Sequence, residues 1–180
     1  VMNHARAHER IAALVPVHAP RIARAVGEDL ELLRLGMKAR ECGVHGVVIG
    51  ALTPEGDVDE AAVLAWQEAA DGLPLTFHRA WDVCRDPVSA LETLIRLGVQ
   101  RVLSSGQRES AWDGRANLAA GVKQAAGRIS IMAGGGVDEH NAAELISATG
   151  VHEIHVRGTA PLHEMMSFNS HPVPFRKNWP

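Results

Sequence analysis

From Val44 to Pro161 the chain alternates without a break between short apolar runs and amphipathic runs. The segments "VHGVVIGALT", "LPLTF", "VQRVLSS", "RISIMAGGG" and "VHEIHV" are rich in apolar and β-branched residues, as strands buried on both faces should be. Between them lie helical stretches with their own start and stop signals. "DVDEAAVLAWQEAADG" offers Asp57 or Asp59 as N-cap, sets Ala62, Leu64, Ala65 and Trp66 on one side and stops at Gly72. "RDPVSALETLIRLG" has Asp86 as cap, Pro87 at its first position, Val88, Leu91, Leu94 and Ile95 as its apolar face and Gly98 as its stop. "GRANLAAGVKQAAG" and "DEHNAAELISATG" follow the same grammar, the second capped by Asp138. Strand centres near Val47, Leu75, Val102, Ile131 and Ile154 recur at about 25–30 residues, the length of one strand, one helix and two short loops. A strand in "LVPVHA" from Leu14 and a helix in "GEDLELLRLGMKAREC" from Gly27 add a unit in front.

Such alternation predicts parallel β/α units, as an open doubly wound sheet or as a (β/α)₈ barrel. Polar residues close nearly every strand, which favours the barrel, because there the C-terminal strand ends converge on one mouth. The expected fold is therefore α/β, a TIM (β/α)₈-type barrel with about six parallel strands visible and its first two lacking, since "VMNHARAHERIAA" reads as one helix. A single domain over 1–180 is expected, with 162–180 forming a C-terminal helix and an extended tail. Lys and Arg are scattered, and the net charge is -3, so neither nucleic acid nor an anionic membrane is an expected partner. No apolar run approaches the roughly 20 residues that span a bilayer, and the first ten residues lack the apolar centre of a signal peptide. Two cysteines without a CxxC pair fit a reducing, cytoplasmic setting.

The strand ends gather Thr53; His78, Arg79 and Asp82; Ser104, Ser105 and Gln107; Gly134, Gly135 and Gly136; and His155 with Arg157. One use of "FHRAWD" is as scaffold, with Arg79 paired to Asp82; the position at a barrel mouth favours a binding or catalytic use. His78 or His155 is the candidate acid/base, with Arg79, Asp82 and Ser105 beside them. No GxSxG elbow surrounds Ser104 and Ser105, so they are expected to donate hydrogen bonds rather than to attack a substrate. The triple glycine, together with Arg157 and Gly158 of "HVRGT", predicts a cradle for a small anion such as a phosphorylated or carboxylated metabolite. Copper(I) prefers soft ligands, and here Cys42 precedes one strand while Cys84 follows the end of the next, which puts them at opposite ends of the barrel and too far apart to share a metal. Cys84 with His78 is the metal candidate, and "HEMM" at His163–Met166 is a second soft cluster.

Taken together and in order, "GVVIGALTPEGDVD", "LPLTFHRAWDVCRDP", "RVLSSGQ", "ISIMAGGGV" and "EIHVRGTAP" resemble the CutC copper homeostasis family from about Val44 to Pro161. The resemblance implies a (β/α)₈ barrel, a cytoplasmic location, homodimers and a role in copper homeostasis with copper as ligand. It also implies that His78, Arg79, Asp82, Ser105, Gln107, the triple glycine and His155 are mouth residues. The chain departs from the family pattern in lacking the first two strands and the Arg-Pro-Arg loop, of which Arg21 is a loose substitute. Ala133 also stands where the family has Pro, and Val156 and Arg157 where it has small residues. A barrel enzyme acting on a small phosphorylated or carboxylated metabolite is the alternative.

Overall fold

Six parallel strands lie side by side in the order in which the chain makes them: β1 (Ala13–Leu14), β2 (Val47–Ile49), β3 (Leu75–Phe77), β4 (Arg101–Ser104), β5 (Ser130–Gly134) and β6 (Glu153–His155). The structure is a computed structural model that describes residues 13–14 and 45–156. The helices are α1 (Glu60–Ala70), α2 (Pro87–Arg96), α3 (Arg115–Ala125) and α4 (Ala142–Thr149), and a 3₁₀ turn (Arg79–Val83) joins β3 to α2. Of the expected helix over 1–13 and strand over 14–19 only Ala13 and Leu14 are described, both in β1, and the expected segments at 27–42 and 162–180 lie outside the described residues.

The strand order decides between the two architectures. A doubly wound sheet reverses direction at a switch point, whereas this one runs monotonically from β1 to β6. With right-handed crossovers throughout, monotonic order puts every helix on the same face, which is the partial-barrel arrangement.

Register defines the two faces, since paired residues of parallel strands point the same way. Val47, Ile49, Leu75, Phe77, Val102, Ile131 and Ala133 share one face and are all buried. They form one core with Val63 and Trp66 of α1, Leu91 and Leu94 of α2, Leu118 of α3 and Leu145 of α4. Val48, Thr76, Arg101, Leu103, Ser130, Met132, Gly134, Glu153 and His155 share the opposite, open face. Burying one large aliphatic or aromatic side chain contributes about 1.5–3 kcal/mol, so the helix-facing set carries most of the stability.

Helix boundaries follow local chemistry, with three departures from the sequence expectation. Of the two candidate caps, Asp59 starts α1, accepting from the Ala62 N–H at 3.0 Å. The buried stripe of α1 is Ala62, Val63, Trp66, Ala69 and Ala70, and Leu64 is exposed, because the axis is rotated so that the i, i+3/i+4 row starting at Ala62 faces the sheet. Asp86 caps α2 as expected, but Val88 in its first turn points outward. Asp138 does not cap α4: its carboxylate bonds the N–H groups of His140 and Asn141, closing a separate turn, and the helix starts only at Ala142.

Candidate functional site

β3 ends at Phe77, and the next residue turns the chain from strand into the 3₁₀ segment. His78 is the cap of that segment: its Nδ1 accepts from the Ala80 N–H at 2.9 Å, and its own N–H donates to the Ile49 carbonyl at 2.7 Å. Continuing the alternation past Phe77 puts the ring on the open face, where it lies against Gly50 at the end of β2. Burial pushes the imidazole pKa below its ordinary value, against an opposing backbone hydrogen bond.

One turn later Asp82 organises the next two loops. Its carboxylate, 5% exposed, accepts from Arg79 Nε at 2.8 Å, from the Ser104 and Ser105 hydroxyls, and from the backbone N–H groups of Ser105 and Gln107. Burial works to raise the Asp82 pKa, but the bonds from Ser104, Arg79, Ser105 and Gln107 outweigh it and hold the carboxyl below the ordinary range. Arg79 lies across the same cluster. Its Nη2 donates to Ser105 Oγ at 2.6 Å and to the Arg108 carbonyl at 3.2 Å.

The triple glycine closes the cluster from the side of β5. Gly135 has φ +110, and a Cβ there would come within 3.2 Å of Ser105 Cβ and 3.4 Å of Arg79 Nη1. Its carbonyl accepts from the Ala111 N–H at 2.8 Å, tying the loop after β5 to the loop after β4. Gly136 follows at φ +68. His155 pairs in register with Gly134 and is exposed on the open face.

The structure thus brings His78, Arg79, Asp82, Ser104, Ser105, Gln107 and the glycines together at one end of the sheet, but gives them different parts. Ser104 and Ser105 are fully buried and saturated by Asp82, the Gly106 N–H and the Arg108 carbonyl. Ser104, Ser105 and Asp82 thus bond to one another and to the loop backbone beneath the mouth. Thr53 accepts from the N–H groups of Glu55 and Asp57, closing its own turn. His155 is on the same face and at the same strand end as His78, but three strand steps away, about 14 Å along the sheet. Arg157 and Gly158 lie outside the described residues.

Sequence reasoning missed the ion pair between Arg101 and Glu153 on the open face, to which Thr76 adds a hydroxyl at 3.2 Å. The available signal was a charged residue opening a strand whose neighbours are apolar.

For a metal, the donors are sparse. Among the described residues no three of His, Cys, Asp and Glu come close enough to hold an ion. Cys84 donates its thiol hydrogen to the Trp81 carbonyl at 3.1 Å, and burial, with Asp86 and Asp82 adding to it, pushes its pKa up. Among the described residues no helix is long and apolar enough to cross a membrane.

The CutC family profile matches residues 1–160. The CutC family proteins of Pasteurella multocida and Histophilus somni are 46% and 48% identical to this chain over 135 and 132 residues, or 75% and 73% of it. The same matches cover 55% and 54% of those proteins, so the chain spans about half the length of the curated relatives it matches. The solved CutC structure from Streptococcus agalactiae, described as a suggested copper homeostasis protein, superposes with a TM-score of 0.72 at 30% identity, covering 80% of this chain and 70% of that one. Mandelate oxidase, at 16% identity and a TM-score of 0.55 over 72% of this chain and 45% of its own, shares the fold alone. A profile over most of the chain and relatives at this identity agree with the strand order and the mouth motifs: the chain belongs to the CutC family.

Proposed function

We propose that this chain acts in copper homeostasis in the cytoplasm, and that its mouth binds a small oxyanion rather than copper itself. The copper homeostasis role follows the description given to the Streptococcus agalactiae relative, and the cytoplasmic setting follows the two cysteines without a CxxC pair. The second half comes from what the described residues offer.

Copper(I) needs soft, deprotonated ligands in a cluster. Cys84 keeps its proton and directs it at a carbonyl, and the Nδ1 lone pair of His78 is taken by the Ala80 N–H. With no cluster of three His, Cys, Asp or Glu side chains among the described residues, Cys84 and His78 do not make a preformed copper site of that kind.

An oxyanion fits better, and one observation carries this reading. Arg79 has its Nε and Nη2 fixed by Asp82, Ser105 and the Arg108 carbonyl, which leaves Nη1 beside Gly135 without a partner among the described residues. A guanidinium held on two nitrogens and open on the third loses little entropy on binding. The missing Cβ of Gly135 allows backbone and ligand to approach it. In the neighbouring loop, Gln107 Nε2 is fully buried with no acceptor among the described residues, an unsatisfied group that costs about 1–3 kcal/mol. The Asp82 carboxylate is turned inward and already saturated, so it neither competes for Nη1 nor faces the ligand.

Calorimetry with inorganic phosphate and an anaerobic Cu(I) competition against a chromogenic chelator test both parts. Phosphate binding is expected to weaken about tenfold or more in Arg79→Ala and in Gly135→Ala, with Cu(I) partitioning the same for the unsubstituted chain and Cys84→Ser. Stoichiometric Cu(I) capture that Cys84→Ser abolishes, or phosphate binding indifferent to Arg79, overturns the reading.

A further inference from the structure

His78 is more constrained than a strand-end histidine needs to be. The Ala80 N–H points at its Nδ1 at 2.9 Å, so that nitrogen is an acceptor. A neutral imidazole carries one ring proton, and with Nδ1 accepting, the proton sits on Nε2.

The ring cannot easily turn away from this arrangement. A Cβ on Gly50 would lie 2.2 Å from Cε1 and 2.5 Å from each ring nitrogen, so the imidazole occupies the space that any other residue at position 50 would fill. Its backbone N–H is fixed on the Ile49 carbonyl at 2.7 Å. Nε2 has no hydrogen-bond partner among the described residues, and His78 as a whole is only half-buried. The Nε2–H therefore opens onto the same face and strand end as the Arg79 cluster.

We propose that His78 is a fixed hydrogen-bond donor, a neutral Nε2–H imidazole held in that tautomer by the Ala80 N–H and pinned by Gly50, which presents its proton to an oxygen of the ligand. The ligand half rests on the oxyanion reading above; the tautomer does not. Burial favours the neutral ring, in line with the depressed basicity of this group. For Nε2 to bind a metal or take a proton, Nδ1 would have to carry a hydrogen. That hydrogen would oppose the Ala80 N–H and remove the cap of the 3₁₀ segment that carries Arg79 and Asp82. His78 thus acts as neither metal ligand nor base while that segment is intact.

The test is long-range ¹H–¹⁵N correlation on the ¹⁵N-histidine-labelled chain, with His78 assigned through its backbone resonances. At pH 7 without ligand, Nε2 is expected to show the shift of a protonated nitrogen and Nδ1 that of a bare one. Gly50→Ala, whose methyl takes the ring's space, is expected to turn this into a mixture of tautomers. Inorganic phosphate is expected to move Nε2 more than Nδ1. His78→Gln, which keeps an N–H donor, should bind phosphate within about threefold, and His78→Phe about tenfold more weakly. An Nδ1–H or doubly protonated ring at pH 7 overturns the proposal. An Nε2–H ring indifferent to phosphate overturns its ligand half and leaves the tautomer established.

Discussion

The two faces of the sheet are made by alternate residues of the same short strands, yet they do opposite things. Toward the helices stand Val47, Ile49, Leu75, Phe77, Val102, Ile131 and Ala133, none more than 4% exposed. Away from them stand Thr76, Arg101, Ser130, Glu153 and His155 among Val48, Leu103 and Met132, all but Thr76 at least partly open. Because side chains alternate with a period of two, one three-residue strand such as Leu75–Phe77 can anchor the core and still contribute to a polar face. Stability is therefore concentrated on one side of each strand, which leaves the other side free to carry polar chemistry.

The largest expected effect tests that division. Phe77 is fully buried on the helix side, so Phe77→Ala removes a ring and leaves a cavity, at a cost of about 3–5 kcal/mol. Leu103→Ala, on the half-open face, leaves a gap that solvent reaches, and about 1 kcal/mol is expected. Urea unfolding of the two variants gives the comparison directly. Equal losses would mean that the open face is as tightly covered as the core.

Next in size is the network beneath the mouth. Asp82→Ala leaves two hydroxyls, two N–H groups and a guanidinium without their common acceptor, and a loss of about 2–3 kcal/mol is expected by the same measurement. Because the folded-state pKa of Asp82 lies below its unfolded value, its contribution is complete above the ordinary carboxylate pKa near 3.9 and disappears as pH falls through the lower folded value. Stability measured from pH 6 down to pH 2 should therefore fall less steeply in Asp82→Asn than in the unsubstituted chain.

How much of this was legible in the sequence follows the range of the interactions. The strands centred on Val47, Leu75, Val102, Ile131 and Ile154, the cap at Asp86 and the stop at Gly98 depend on residues a few positions apart, and they appear where the pattern put them. Leu64 and Val88 were misplaced because an apolar residue at helical spacing does not reveal how the helix is rotated on its sheet. Asp138 was misplaced because an aspartate before a helix can close a turn as well as cap, and the carboxylate chose His140 and Asn141. The mouth was legible as a set of strand ends. Its division into exposed donors and buried scaffold was not, since it depends on Asp82 reaching Ser104 and Ser105 across more than 20 positions.

The smallest effect concerns the open face itself, whose two ends ought to be separable. Arg101 and Glu153 meet across 52 positions of sequence, near the N-terminal end of their strands. Their side chains are 23% and 31% exposed, so water already screens the pair, and bringing them together costs less desolvation than a fully buried pair would. The Glu153 carboxylate holds the Arg101 guanidinium and raises its pKa against the opposing effect of burial, so the guanidinium stays charged throughout the neutral range. Arg101→Lys keeps the charge but loses the two-pronged geometry, and about 1 kcal/mol of stability is the expected loss. Arg101 lies four residues before Ser105, about 13 Å down an extended strand, beyond contact with a small ligand at the mouth. Phosphate affinity is accordingly expected to change less than about twofold in Arg101→Lys, against the tenfold loss in Arg79→Ala. A comparable loss in both would show that the ion pair belongs to the binding site, and the open face would then be one functional surface from end to end.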